Sequence, residues 1–437
     1  MKFIDLFAGT GGMRLGFEQA MQQFNIETQC VLSAEIDPKA CQSYELNFGE
    51  NPYRDITTIN EIEPFDFMLA GFPCQSFSYA GKQKGFGDTR GTLFFEVERL
   101  LKLHQPIGFL LENVRGLTTH DNGRTFQTII NSLEKIGYKV DYFLLNSSNF
   151  GVPQNRVRIY IVGLRDRQPN LTLESDVGAA DSHTFKYQAN QLSLFAERKP
   201  QRILVKDILE NDVDPKYFCS ELFVKQLSKV VGNDFYQLDG VRLIDYRGGN
   251  SIHSWELGIK GDCTANEIEF MNLLISNRRK KIFGEHQDGK SLTKDQILTF
   301  YHRQDFEEVT QSLMQKGYLS LKNHRFNPVC GNMSFEVFKF LDPNSISITL
   351  TASDTNRLGI VQNNIPRKIT PRECARLQGY PESYKLLNDD SAVYKQMGNG
   401  VSVPVIQAIL TNLIEHNFSL FEASKKFKDM SLVATLH

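Results

Sequence analysis

Short apolar runs alternate with helical periodicity over the first part of the chain. Residues 2–7 and 29–35 are apolar stretches of strand length, and each is followed by apolar positions spaced three and four apart, over 12–23 and 39–47. The pattern continues with strands at 65–69, 107–112 and 157–164 and helices at 92–103 and 124–136. Strand and helix in alternation imply right-handed crossovers and a mostly parallel sheet covered on both faces, an α/β fold. Ligands of such sheets sit beyond the carboxyl ends of the strands, so the residues just after each strand are where chemistry is expected.

The alternation stops near Asp166. Residues 168–201 are polar and irregular, a region of mixed character follows, and the earlier pattern resumes with RKITPRECARLQGYP and a helical run from Val403 to His416. The expected organisation is therefore a discontinuous α/β domain, 1–167 and 367–437, interrupted by a smaller α+β domain at 168–366. Inside the insertion, Thr264-x-x-Glu267 and Thr293-x-x-Gln296 have the form of capping boxes. They predict helices over 265–280 and 294–302; a third, over 305–316, ends at Gly317, and residues 318–326 alternate about an Asn-centred turn as a hairpin does. Three helices and a hairpin over 265–330 is the order of a winged helix-turn-helix, although packed helices covering an insertion fit the same order.

Composition narrows this only slightly. With 437 residues, 41% hydrophobic and 23% charged, the chain is an ordinary globular one of more than one domain. Its net charge of −2 means that any nucleic-acid surface must come from local segregation of the basic residues. The seven cysteines form no C-x-x-C pair, which argues against a disulfide framework and against a structural metal site. The opening MKFIDLFAGTGG is too soon interrupted for a signal peptide and no bilayer-length apolar run is expected after it, so the expected place is a reducing cytoplasm, without a membrane.

The strand ends carry candidate chemistry. Phe7-Ala8-Gly9-Thr10-Gly11-Gly12 links the first strand to the first helix, either as a plain tight turn or as a cradle where a ligand approaches the backbone. Glu35 and Asp37, at the end of the second strand, could bind ribose hydroxyls, and Asp55 an adenine amino group. No Gly-Lys-Ser/Thr phosphate loop is present, which favours an adenosine-containing ligand without polyphosphate. Cys74, after a proline at a strand end, is presented outward, and the glycine-rich, charged residues 81–91 suit a lid or an ordinary surface loop. Glu112 directly after a buried strand is costly unless paired or used. Arg156 and Arg158 share one side of the strand that they open, so a salt bridge between strands and a catalytic pair both explain Glu112 and Arg158.

Taken together, DLFAGTGG, EIDP, GFPCQSFS with GKQKGFGDTRGTLF, ENVRGL, QNRVR, RKITPRECARLQGYP and KQMGNGVSVP, in that order, resemble the cytosine-5 DNA methyltransferase family over residues 1–166 and 346–437. The resemblance is to the methylases of type II restriction–modification systems. It implies an S-adenosylmethionine-dependent, Rossmann-like methyltransferase domain with a target recognition domain, acting as a monomer on a cytosine flipped out of double-stranded DNA. Cys74 would attack carbon 6, Glu112 would share a proton with ring nitrogen 3, and Arg158, with Arg156 beside it, would offset charge at the base carbonyl. Cofactor contacts would fall on Phe7, Gly9, Gly11, Glu35, Ile36, Asp55, Pro73, Asn399 and Val401. DNA contacts would fall on Ser78, Lys82, Arg90, Gln154, Thr349, Leu350, Asp354 and Arg357. Two positions depart from the family pattern: Gly400 where serine is frequent, and Ile36 where an aromatic often stacks on the cofactor.

A tRNA cytosine methyltransferase is the rival within the enzyme class, against which the long insertion speaks. A non-catalytic DNA-binding relative is the rival outside it, against which intact Cys74, Glu112 and Arg158 speak. The variable region looks similar to that of modification enzymes recognising GGYRCC, which implies a cognate restriction endonuclease as a genetic partner. The basic run 277–281 and Arg325 are expected near DNA phosphates, and base reading is expected around 349–357.

Overall fold

In a computed structural model the described residues are 1–73, 93–173, 175, 203–246, 248–284, 291–329 and 335–434, with only the backbone described over 422–434. Cys74, Ser78, Lys82 and Arg90 lie outside them, as does the lid or surface loop expected at 81–91.

The chain forms two units: Met1–Ile208 with Ile346–Thr355 and Pro371–His437, and Leu209–Ser345 with Asn356–Thr370. In the first, strands and helices alternate as β1 (Lys2–Leu6), α1 (Gly12–Gln23), β2 (Gln29–Ala34), α2 (Pro38–Phe48), β3 (Phe67–Ala70), α3 (Leu93–His104), β4 (Gly108–Val114), α4 (Arg124–Lys135), β5 (Tyr138–Asn146) and β6 (Val157–Arg165). The sheet has the order β2-β1-β3-β4-β6-β5; the first four strands pair in parallel and β6 runs antiparallel to both its neighbours. Strand alternation divides the core between the two faces. Phe3, Phe67, Leu69 and Leu110 pack on one side, whereas Ile4, Met68, Phe109 and Leu111 pack on the other. β5 is an addition to the sequence reading: its alternation is present, but a ten-residue connection replaces the tight turn that marks a hairpin.

In the second unit come α5 (Glu221–Val231), β7 (Arg242–Leu243), β8 (Ser251–Ile252), α6 (Ser254–Leu257), α7 (Ala265–Asn277), β9 (Leu292–Thr293), α8 (Lys294–Leu298), α9 (Phe306–Gln315), β10 (Leu319–Lys322), β11 (Arg325–Pro328), β12 (Lys339–Phe340), β13 (Leu358–Gln362) and β14 (Ile365–Lys368). Thr264 and Thr293 both close the expected capping boxes, and Gly317 takes φ +76° after α9. The chain then returns to the first unit through α10 (Pro371–Leu377), α11 (Asp390–Asn399) and α12 (Val403–Ala434).

Two boundaries differ from those expected, each for a local reason. Residues 168–173 belong to the first unit: Gln168 donates to Asp141, and Thr172 and Pro169 are held by Asn412 and Asn417 of α12. Residues 346–355 return to it early, because Ser347 pairs with the 153–155 backbone. The helical run Asp390–Phe421 is long and apolar enough to cross a bilayer, contrary to the expectation from sequence, but 67% of its most apolar stretch is buried within the protein, where α12 packs along α1 in the core. Among the described residues the cysteines 30, 41, 219, 263 and 374 are free thiols.

Candidate active site

The turn after β1 is held in a conformation that side chains resist. Phe7, Gly9 and Gly11 take φ of +54°, +54° and +79°. Phe7 is therefore strained for a bulky residue, a state that persists only where the surroundings impose it. A Cβ on Gly11 would lie 2.2 Å from the Phe48 ring, whereas one on Gly9 would meet only the Phe7 carbonyl oxygen, at 3.9 Å. The backbone thus offers an open face at Gly9 and a packed one at Gly11.

Glu35 links this turn to the end of β2. One carboxylate oxygen accepts from Gly9 N (2.9 Å), the other from Ile36 N (2.7 Å) and Asp37 N (2.8 Å). A carboxylate has about four acceptor sites, so Glu35 keeps room for a hydroxyl. Asp37 is used as the cap of α2, accepting from Lys39 and Ala40 N, and pairs with Lys395. Asp55 accepts from Thr57 through one oxygen only. Ile36 is 65% exposed, an apolar face left open beside these carboxylates.

The register of β3 against β4 sets the other half. Ala70 lies opposite Leu111, so Gly71 comes beside Glu112, and a Cβ on Gly71 would stand 3.7 Å from the Glu112 carboxylate. Asn113, buried, donates to the Phe72 carbonyl (2.8 Å) and fixes the Gly71-Phe72-Pro73 backbone to the end of β4. Antiparallel pairing of β4 with β6 brings Arg158 to Glu112, with Nε 3.2 Å from the carboxylate oxygen. Burial pushes the Glu112 carboxyl above its ordinary value, and Arg158 and Arg156 only partly offset this.

These groups line one cavity of about 590 Å³, within the range of small-ligand sites. It includes Phe7, Gly9, Glu35, Ile36, Asp55, Pro73, Glu112, Arg158, Asn399 and Val401, and so brings together all the expected cofactor positions except Gly11, which packs behind the turn. An adenosine-containing molecule fits this lining. The hydroxyl-accepting Glu35, the free oxygen of Asp55, the apolar face of Ile36 and the open backbone at Gly9 are the groups it needs.

Three expected site residues lie buried, although Arg156 still lines the cavity. Arg156 is 2% exposed, and its guanidinium donates to the carbonyls of Leu350 (2.8 Å), Gly398 (3.4 Å) and Gly400 (2.5 Å). Although burial and then Arg158 draw it down to about 10, it stays charged at neutral pH. These bonds tie the 350 loop to the end of α11. Gln154, expected at the DNA, is fully buried: it donates to the Leu377 carbonyl and accepts from Leu350 N. Leu350 is itself buried. Spacing in the sequence showed the sidedness of Arg156 but not its depth. Of the others, Thr349 donates to the Asn155 carbonyl, Asp354 accepts from Ser353, and Arg357 donates to the Phe335 carbonyl within the second unit.

Tyr380, Tyr384 and Asn113 had no role assigned from sequence. Tyr380 lines the cavity with its hydroxyl 2.7 Å from Thr10 Oγ1, and Tyr384 donates to the Thr10 carbonyl (2.8 Å), so two tyrosines hold the strained turn. The only signal was their membership of RLQGYP and the segment after it.

If Arg156 positions rather than reacts, Arg156→Ala should lose about 2 kcal/mol or more of stability, because buried carbonyls are left unpaired, and should raise the KM for the cofactor. Arg156→Lys should not rescue it, since one ammonium cannot span three carbonyls. A stable Ala variant with a selective loss of kcat, read by thermal melts and steady-state kinetics, would return Arg156 to the chemistry.

Residues 1–415 match the family model described as C-5 cytosine-specific DNA methylase. The Type II methyltransferase M.BanI of Aneurinibacillus aneurinilyticus is 64% identical over 417 residues, covering 95% of this chain and 96% of that one. M.HgiCI of Herpetosiphon aurantiacus is 62% identical over 415 residues, covering 95% and 98%. A solved structure described as a DNA modification methyltransferase encoded within an E. coli prophage shares the fold, with a TM-score of 0.52, 21% identity and coverage of 95% and 99%.

Proposed function

The chain belongs to the C-5 cytosine-specific DNA methylases and methylates cytosine in DNA at specific sites with S-adenosylmethionine as donor; from that premise we propose how its own residues divide the work. When bound, S-adenosylmethionine supplies an electrophilic methyl group on a sulfonium. Gly9, Glu35, Ile36, Asp55, Asn399 and Val401, which line the cavity, would hold it. Cys74 as thiolate bonds to carbon 6 of the flipped cytosine, which makes carbon 5 nucleophilic. Glu112 shares its proton with ring nitrogen 3 as negative charge builds on the base, and Arg158 donates to the base carbonyl oxygen. After methyl transfer, loss of the carbon-5 proton to water and expulsion of the thiolate restore the aromatic ring.

The observation that carries this reading is the Glu112–Arg158 pair, set beside Gly71 in the cavity that holds the glycine turn. The described thiols support the nucleophile assignment. Burial pushes Cys30 and Cys219 up to about 12 and Cys41 and Cys263 up to about 11, and Cys374 well above its ordinary value, so none is poised as a thiolate. The same reading extends to a monomer in the cytoplasm that modifies GGYRCC and protects host DNA from a cognate endonuclease. The target word rests on the likeness of the variable region, and the relatives at 62–64% identity are aligned over nearly the whole chain.

Bisulfite sequencing of DNA from a host expressing the chain should show conversion-resistant cytosines at one position of GGYRCC. Resistance confined to a different word would overturn the target and keep the reaction. No resistant cytosine would overturn both.

A further inference from the structure

The segment from α7 to β11 runs helix, strand, helix, helix, strand, turn, strand, and β11 is hydrogen-bonded between β10 and β9. Its Phe270, Leu274, Leu313 and Phe326 pack together with Trp255 of α6 in a core separate from the one beneath α5. This is winged-helix topology, in which the third helix ordinarily enters the major groove of DNA. Here that helix is α9, and its charge is wrong for the task. Glu307 and Glu308 stand exposed in its first turn, its other exposed positions include Gln311 and Gln315, and it has no basic residue.

The cations of the module are segregated elsewhere. Lys294, Arg303 and Lys316 are neutralised by Glu307, Glu269 and Glu267. Lys280, Lys281 and Lys322 are exposed and have no carboxylate partner among the described residues. Lys322 stands directly opposite Arg325 across the hairpin, joined by Asn323 and His324, both in the left-handed region. Like charges facing across a ladder weaken it, and an anion bound between them would reverse that. The run 277–281 is not uniformly a surface, as its composition had implied. Asn277 and Arg278 are buried, and Arg278 donates to Asn327 (3.4 Å), which pins the lysines that follow to β11 two residues, about 7 Å, from Arg325. Beside them Ile282 is 82% exposed.

We propose that Lys280, Lys281, Lys322 and Arg325 form a phosphate-binding edge, by which the hairpin and the corner after α7 lie along the backbone of duplex DNA while α9 stays out of the groove. The edge rests on the DNA-methylation reading and adds to it a sequence-independent hold. A winged helix used by its wing differs from one used by its third helix, and the two predict different sensitive residues.

The test uses the full chain with Lys280→Ala, Lys281→Ala and Lys322→Ala combined, against Glu308→Gln, which leaves the Lys294–Glu307 pair intact. Binding to two duplexes, one with the target word and one without, is followed as salt is raised, and methyl transfer by the unaltered chain on the first duplex checks the premise separately. The lysine variant should bind both duplexes more weakly by the same factor. Its salt slope should be shallower by about 0.9 for each phosphate no longer neutralised, up to roughly 2.7, with turnover at saturating DNA unchanged. The glutamine variant should leave the slope and both affinities as they were. An unchanged slope in the lysine variant, as expected if the edge faces an acidic protein instead, would overturn the proposal. So would a selective loss on the target duplex, or tighter DNA binding by the glutamine variant.

Discussion

Cys74→Ser is expected to lower methyl transfer by roughly three orders of magnitude or more, on the scale of nucleophile removals in other covalent enzymes, with site-specific DNA binding retained. A thiol is a few per cent thiolate at neutral pH and intrinsically nucleophilic, whereas a serine hydroxyl needs an adjacent base. Of the carboxylates that line the cavity, Glu112 is engaged by Arg158, and Asp37 by Lys395 and the cap of α2. Turnover on a hemimethylated target and gel-shift affinity in parallel check the expectation. Full methylation by the serine variant would refute the nucleophile.

Glu112→Gln is expected to reduce kcat by about two orders of magnitude or more, the usual contribution of a positioned acid–base group, while leaving the fold and cofactor affinity intact. The reason lies in the direction of its proton affinity. Burial raises the Glu112 carboxyl above 4.5 in spite of two arginines, so the charged form is disfavoured in the folded chain and the ion pair with Arg158 does not compensate. The folded state then binds this proton more tightly than the unfolded state does. Stability from this group therefore falls as pH rises from about 4.5 through the raised value and is level above it. The Gln variant lacks that slope and should gain on the parent as pH rises, a difference that thermal melts across this window would show. Turnover of the parent should fall on the alkaline side of the raised value, as the protonated share declines. If the variant melts early at every pH, Glu112 and Arg158 are a structural pair.

The sequence was most informative where chemistry is local. The glycine turn, the carboxylates ending β2 and β4 and the alternation of strand and helix up to β4 follow from short patterns, and the structure places the turn and the carboxylates in one cavity. Depth was the property that patterns did not give. Arg156 was expected beside Arg158 in the chemistry and Gln154 at the DNA, but both are buried and bonded to backbone groups of residues 350, 377, 398 and 400, which are distant in sequence. Arg278 sits in the densest basic run of the chain and is nevertheless inside, because α7 ends on β11. The helix-and-hairpin order of 265–330 was readable, since capping boxes and a glycine stop are local signals, but the acidic surface of α9 acquires its meaning only once the sheet order is known.

The central claim is that cytosine is activated by a covalent bond to Cys74. It is tested most directly by incubating the full chain with S-adenosylmethionine and a target duplex containing 5-fluorocytosine, then sequencing the trapped peptide by mass spectrometry. Because fluorine on carbon 5 cannot leave as a proton, the adduct should persist with the methyl group already transferred, and the modified residue should be Cys74. An adduct on another residue, or methylation of ordinary cytosine with no adduct from the fluorinated base, would contradict the account.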